Sequence, residues 1–102
     1  MVDDRVRTPE VDDLLKTLLL LDSEDEAYAL LVDLCTIREI HDMAQRLEVA
    51  RRLAAGEHYA SIQEATGASA TTISRVSKSL HYGADGYTSI LAKLGGAPAA
   101  GE

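Results

Sequence analysis

The sequence has no tryptophan and no phenylalanine, and its only aromatic residues are four tyrosines among 102 residues. A single cysteine, Cys35, excludes an internal disulfide framework and fits a reducing compartment. No apolar run approaches the ~20 residues that span a bilayer, and the charged segment 1–10 lacks the pattern of a signal peptide. We therefore expect a cytoplasmic protein without a membrane partner.

Basic charge is also scarce, because 10 Lys and Arg residues oppose 17 Asp and Glu residues, for a net charge of −7. Residues 1–33 hold ten of the acids and three of the bases, so this segment carries the whole negative excess. No acid lies between Ala65 and Ala84. The net charge argues against a polyanionic partner. Because the charge is unevenly distributed, however, the acid-free segment could still contact a polyanion such as DNA.

Apolar residues recur at helical spacing between Gly and Pro residues, and no strand-like alternation is present, which predicts an all-α fold. Capping boxes at Ser23–Glu26 and Thr36–Glu39 mark two helix starts. We expect a flexible tail at 1–8, a single helical domain at 9–94 and a disordered tail at 95–102. Within the domain we expect dimerisation helices at 9–57, a helix-turn-helix at 58–82 and a closing helix at 83–94.

The first half of this domain has more apolar surface than one short chain can bury. A chain of this length buries only about 60–68% of the surface of its unfolded state, and a helix that is apolar on all sides is normally a buried one. We therefore predict a homodimer. The residues assigned to dimerisation are Leu14, Leu15, Leu18, Leu19, Leu21, Leu30, Leu31 and Leu34. In the helix after Thr36 the predicted inward face is Ile40, Met43, Ala44, Leu47, Ala50 and Ala54.

The segment Tyr59–Leu80 has the spacing of a helix-turn-helix. Ile62 and Ala65 are predicted to face inward from its first helix. Gly67 supplies the positive φ of a tight turn, and Ser69 caps the second helix.

The second helix of this motif has an apolar face and a polar face. Ile73, Val76 and Leu80 are predicted to face the core. Thr71, Arg75 and Lys78 share the opposite stripe, which has no acid, as a helix that enters the major groove requires. The predicted DNA-contacting residues are Gln63, Ser69, Ala70, Thr71, Thr72, Ser74, Arg75 and Lys78.

The inventory of reactive groups does not fit an enzyme. There is no Gly-rich phosphate loop, no metal-ligand cluster and no nucleophile–base arrangement, so we expect neither a cofactor nor a metal. Two functions remain. The first is a dimeric, sequence-specific DNA-binding regulator. The alternative is a helical scaffold dimer whose helix-turn-helix does not engage DNA.

Several segments in order resemble the Trp-repressor-like family, in particular its YerC/YecD-type branch: 34–40 (LCTIREI), 45–50 (QRLEVA), 67–76 (GASATTISRV) and 80–83 (LHYG). The resemblance covers about residues 12–94. It implies an intertwined all-helical homodimer with a helix-turn-helix in each subunit, and a regulator of transcription that binds double-stranded DNA. We expect this chain to act as a repressor.

The resemblance also implies a candidate effector or anion pocket at Thr36, Arg46 and Arg75, which match the residues around the family's corepressor. The family has a glycine after the second arginine, whereas this chain has Val76. Added carbons in a pocket typically cost ~1–3 kcal/mol. We therefore expect that tryptophan does not bind, and the effector, if the protein has one, is unknown.

Overall fold

The computed structural model describes residues 4–95, and this range is helical with no strand. A 3-10 helix at Asp4–Val6 precedes six α-helices: α1 (Pro9–Leu18), α2 (Glu24–Leu34), α3 (Ile37–Ala54), α4 (Tyr59–Thr66), α5 (Ala70–Tyr82) and α6 (Gly86–Leu94). The predicted all-α fold is confirmed. Most of the predicted tail at 95–102, and residues 1–3 of the other tail, lie outside the described residues. No helix in the described range is long and apolar enough to cross a membrane.

Local hydrogen bonds explain where the first three helices begin. Thr8 Oγ1 accepts from the Val11 amide at 3.1 Å and so caps α1. At α3 the capping box is complete, because Thr36 Oγ1 accepts from the Glu39 amide at 3.0 Å and Glu39 Oε1 accepts from the Thr36 amide at 2.8 Å. At α2 only half of the predicted box forms: Ser23 Oγ accepts from the Glu26 amide, but Glu26 Oε1 accepts from Asp22 instead.

The chain divides into two compact units, a first unit that ends at Ile40 and a second unit that begins at His41. In the first unit no residue whose burial is described, from Arg5 to Ile40, is buried. Leu19 is 85% exposed. Of the leucines assigned to dimerisation, Leu14, Leu15, Leu18, Leu19 and Leu34 are exposed and Leu21, Leu30 and Leu31 are half-buried.

The second unit has an apolar core to which α3, α4, α5 and α6 all contribute. Its buried members are Val49, Ala50, Ile62, Ala68, Ile73, Val76 and Leu91, with Leu53, Ala54, Leu80 and Tyr87 packed against them. Each large buried side chain of this kind contributes about 1.5–3 kcal/mol relative to an exposed one. α5 packs on both α4 and α6, so its position is fixed from two sides.

Two details of the predicted inward faces are wrong. Ala65 is exposed, and Ala68, which follows the turn at Gly67, lies in the core instead. On α3, Met43, Ala44 and Leu47 are exposed, while Val49, which was not predicted, is fully buried beside Ala50. Ala50 and Ala54 of the predicted face do belong to or pack against the core, so the prediction holds at the end of α3 and is wrong at Met43, Ala44 and Leu47.

Candidate nucleic-acid interface

The turn between α4 and α5 is held by a small set of polar bonds. Gly67 ends α4 with φ 76°, the left-handed conformation that glycine adopts at little cost. Thr66 Oγ1 donates to the Ile62 carbonyl at 2.7 Å and accepts from the Ala68 amide at 3.2 Å. Ser69 Oγ then accepts from the Thr72 amide at 3.1 Å and caps α5. Each step of the predicted helix–turn–cap sequence is present.

The inner face of α5 anchors the helix to the core. Ile73 is fully buried, Val76 is 2% exposed and Leu80 packs against the same cluster. The spacing of these three residues leaves the opposite stripe of the helix in solvent. The predicted apolar face of α5 is therefore the observed one.

The outer face of the motif is polar and has small side chains at its start. Thr72 is half-buried, and its Oγ1 accepts from Ser69 Oγ at 3.1 Å. Arg75 and Lys78 form no ion pair with any Asp or Glu of residues 4–95. The other predicted contact residues are all exposed: Gln63 on α4, Ser69 at the cap, and Ala70, Thr71, Ser74, Arg75 and Lys78 on α5.

A polar cleft of about 180 Å³ lies between α3 and α5, and we call it the arginine cleft. It is lined by Asp42, Gln45, Arg46, Thr72 and Arg75. Arg46 and Arg75, two of the three residues of the predicted pocket, therefore line one cavity, and neither has a carboxylate partner within the described range. Thr36, the third, belongs to the first unit, where its side chain caps α3.

Val76 does not line this cleft. Its side chain belongs to the apolar core, where it lies with Ile62 and Ile73. Val76 therefore fills part of the core, whereas the glycine that the family has at this position would leave space beside the arginine.

Sequence spacing did not reveal a bond that joins α3 to the turn. The Gln45 side chain is half-buried, and its Nε2 donates to the Thr66 carbonyl at 3.2 Å, 21 residues further along the chain. A hydrogen bond between residues so far apart leaves no periodic pattern. The sequence around Gln45, Ala44 before it and Arg46 after it, gives no signal that marks this residue.

An ion-pair cluster follows at the end of α3. Glu48 accepts from Arg51 at 2.7 Å and from Arg52 at 2.8 Å, and Arg52 also contacts Glu57 at 3.1 Å. The hydrogen bond from Arg51 lowers the pKa of Glu48, with Arg52 adding to the effect and partial burial opposing it. Hydrogen bonds to Glu57 and Glu48 raise the pKa of Arg52. The cluster joins the last turns of α3 to the loop before α4.

An apolar groove of about 380 Å³ opens between α3, the end of α5 and α6. Leu47, Tyr87 and Ile90 supply its apolar lining, together with the small residues Gly83, Ala84 and Gly86 and with Ser79. Leu47 and Ile90 are exposed in the single chain. Elsewhere in the described range, no group of three or more His, Cys, Asp or Glu residues has metal-binding geometry.

Within residues 4–95, six α-helices with a helix-turn-helix at α4–α5 place the chain in the class of all-helical helix-turn-helix proteins. The chain belongs to the Trp repressor family, whose model, described as Trp repressor protein, matches residues 9–95.

Relatives with known sequence or structure agree with this assignment. YerC of Bacillus subtilis (strain 168), described as uncharacterized, is 47% identical over 91 residues, which is 89% of this chain and 88% of that protein. The crystal structure of a candidate Trp repressor from Staphylococcus aureus superposes with a TM-score of 0.89 at 41% identity, covering 94% of this chain and 96% of the other. A TrpR-like protein from Eubacterium eligens ATCC 27750 gives 0.87 at 45% identity, covering 91% and 96%.

Proposed function

We propose that the protein is a dimeric, sequence-specific DNA-binding transcriptional regulator, acting as a repressor as the family name suggests. The observation that carries the proposal is the outer face of α5, where Arg75 and Lys78 have no acidic partner in the described chain. A short, capped helix with small residues at its start fits the major groove, and unpaired cations fit phosphate oxygens.

Individual residues take different parts in this contact. Ala70, Thr71, Thr72 and Ser74 at the start of α5 would contact base edges, directly or through water. Lys78 lies two turns further along and would contact phosphate, while Arg75 lies between the two groups. Gln63 would donate to the DNA backbone, and Ser69 would do so by turning its hydroxyl hydrogen from Thr72 Oγ1 to a phosphate oxygen. Because few cations face the duplex, binding would be modest and sensitive to salt.

The dimer is part of this proposal. The exposed leucines of the first unit have no internal core, so the apolar surface of α1 and α2 needs a second copy of the chain to cover it. The apolar groove at Leu47, Tyr87 and Ile90 adds surface for such a contact in the second unit. A twofold dimer would present its two α5 helices about one DNA turn, ~34 Å, apart.

Binding should be tested on duplexes selected from a random pool, with the mass of the protein measured in the same sample. The logarithm of the affinity should fall with the logarithm of salt concentration, with a slope of about −0.9 for each neutralised phosphate. If the protein binds no duplex at low salt, the alternative scaffold dimer is favoured and the proposal is wrong.

Two substitutions separate the proposed roles. Lys78→Ala should weaken binding to all sequences and reduce the salt slope by about one for each lost phosphate contact. Thr72→Ala should change the preferred sequence, with a loss of about 1–3 kcal/mol at the affected base pair. Lys93→Ala and Thr88→Ala are matched controls, because both residues are exposed and belong to α6, outside the helix-turn-helix. Equal effects of the control and test variants would refute the assigned interface.

A second candidate role concerns the arginine cleft, which would hold a small anionic effector. Its support is that Arg46 and Arg75 line one cavity without a carboxylate partner in the described residues. An anion that binds only the folded state raises the unfolding temperature. Inorganic phosphate at constant ionic strength should therefore stabilise the wild type and not Arg46→Gln. An equal shift in both proteins would contradict this role.

Tryptophan is not the proposed effector. Val76 fills core space beside Arg75, and making room for an indole there would disturb close-packed side chains at a cost of roughly 1–3 kcal/mol or more. Calorimetry with L-tryptophan should therefore show no saturable binding in the micromolar range. Saturable micromolar binding would show that the site can accommodate the ring.

A further inference from the structure

The hydrogen bond from Gln45 connects α3 to the turn that precedes α5, the helix proposed to contact DNA. Thr66 is the last residue of α4, and the final carbonyls of a helix have no partner within the helix. Gln45 Nε2 supplies a donor to the Thr66 carbonyl from α3. Within residues 4–95, every other side-chain hydrogen bond of the motif or of α3 joins residues at most five positions apart. Among the residues that the structure describes, Gln45 therefore supplies the only side-chain hydrogen bond from α3 to the turn.

The apolar core holds these helices together but constrains the angle of the turn less sharply than a directional bond does. Contacts between Val49, Ala50, Ile62 and Ile73 hold the helices at a close distance, but hydrophobic contacts are not directional. A hydrogen bond prefers a nearly linear geometry and weakens steeply when it bends. The Gln45 amide thus restricts the orientation of Thr66, which is followed by the glycine turn and the cap of α5.

The first turn of α5 follows directly from that orientation. Thr66 Oγ1 accepts from the Ala68 amide, and Ser69 Oγ accepts from the Thr72 amide. These bonds form a continuous series from the end of α4 to the small residues proposed to contact base edges. Base-edge contacts require side chains to be held within about 0.5 Å of the productive position, whereas phosphate contacts by flexible cations are more tolerant.

We propose that Gln45 is a positioning residue for DNA recognition: its amide orients the turn between α4 and α5, so that losing the bond lowers sequence selectivity more than affinity for DNA in general. This inference rests on the proposed function, because it concerns how the same interface discriminates among sequences. It does not require Gln45 to touch DNA.

The test uses the full chain and two duplexes of equal length and composition. One is the sequence that the wild type selects from a random pool, and the other is a scrambled version of it. In Gln45→Met the side chain keeps its length and loses the donor. Selectivity, the ratio of the two affinities, should fall about two- to tenfold, the fold-change expected for one hydrogen bond. Affinity for the scrambled duplex and the salt slope should stay at the wild-type values.

Two further variants separate positioning from a general loss of stability. Gln45→Asn keeps an amide but shortens the side chain by one methylene, so it should lose selectivity in the same way even if Gln45→Met fails to fold. Leu91→Val truncates a core residue far along the chain from the turn, and it should lower the unfolding temperature while leaving selectivity unchanged. The ¹³C resonance of the Thr66 carbonyl should move in both Gln45 variants and not in Leu91→Val.

The outcomes are distinct. If the wild type binds no duplex or selects no sequence, the proposed function fails and this inference fails with it. If the wild type selects a sequence and both Gln45 variants keep its selectivity, only the positioning role is overturned. A parallel loss of selectivity in Leu91→Val would also overturn it, because selectivity would then follow stability alone.

Discussion

The two units of the chain are both mostly helical and have opposite patterns of burial. The second unit buries residues from four helices in one apolar cluster, including Ile62, Ile73 and Leu91. The first unit buries none of its residues between Arg5 and Ile40, although α1 and α2 are rich in leucine. The difference teaches that helix formation and core formation are separate requirements. Caps at Thr8, Ser23 and Thr36 define where the helices of the first unit begin, but no residue of that unit buries their apolar side chains.

The comparison leads to different expectations for the two units. Apolar surface left in water is unfavourable by about 25 cal/mol for each Å², so the stability of the first unit should depend on a second chain and hence on protein concentration. The second unit owes its shape to its own residues. The predictions below test this contrast, beginning with the largest effect.

Leu18→Lys should have the largest effect, because it places a charge on the apolar surface of α1 that is proposed to form the dimer. In a dimer whose interface includes α1, the substitution would bury an ammonium group among apolar side chains, and this should cost more than about 4 kcal/mol of association free energy, roughly a thousandfold in Kd. Sedimentation equilibrium should show dissociation at micromolar concentration, with loss of helical circular dichroism. Leu20→Lys is the matched control, since Leu20 is 78% exposed and lies outside the predicted dimerisation set. A dimer of wild-type stability in Leu18→Lys would show that α1 is a free surface.

Gly67→Ala tests whether the second unit sets its own turn. Gly67 has φ 76° and no atom near the position of an added Cβ, so the whole cost comes from the backbone. A left-handed non-glycine residue costs about 1–2 kcal/mol, and urea unfolding should show a loss of this size. Gly86→Ala is the control, because Gly86 has an ordinary φ and open space, and it should be neutral or stabilising by up to ~1 kcal/mol. Equal losses in the two variants would place the cost elsewhere.

Glu48→Gln should have the smallest effect and should depend on pH. Because the pKa of Glu48 in the folded protein is lowered from its ordinary value of 4.5, the ion pairs stabilise the fold above that pH, and their contribution is lost as the pH falls through the lowered value. The wild type should therefore exceed the variant in unfolding free energy near neutral pH by less than about 1 kcal/mol, given the partial exposure.

The difference between wild type and Glu48→Gln should shrink at acid pH in parallel urea titrations. Glu64→Gln, which replaces an exposed carboxylate with no ion pair among the described residues, is the control. A difference between wild type and Glu48→Gln that stays constant from neutral to acid pH would mean that the Arg51 and Arg52 contacts carry no net stabilisation.

Much of the helix-turn-helix could be predicted from sequence because its determinants are local. Gly67, Ser69 and the spacing of Ile73 and Val76 act within one or two helical turns, and each has the predicted role. The Thr36–Glu39 capping box was predictable for the same reason. The family resemblance added the arginines that line the cleft, which local patterns do not bring together.

The errors and omissions concern contacts between distant parts of the chain. The core side of α3 depends on where α4, α5 and α6 pack, so apolar spacing favoured Met43 and Leu47 over the buried Val49. The Gln45–Thr66 bond depends on the same arrangement. At Ser23 the partner of Glu26 is Asp22, one residue earlier than the motif predicts, because two neighbouring amides compete for one carboxylate.

The small residues at the start of α5 have a consequence for how such a protein can diverge. Ala70, Thr71 and Ser74 are exposed, while the cap, the turn and the buried Ile73 hold the helix from other positions. Substitutions at the exposed positions therefore change the chemistry of the surface with little effect on folding, since surface replacements usually alter stability by less than about 0.5 kcal/mol. A duplicated copy of this chain could acquire a new target by exchanging a few side chains while keeping its scaffold intact.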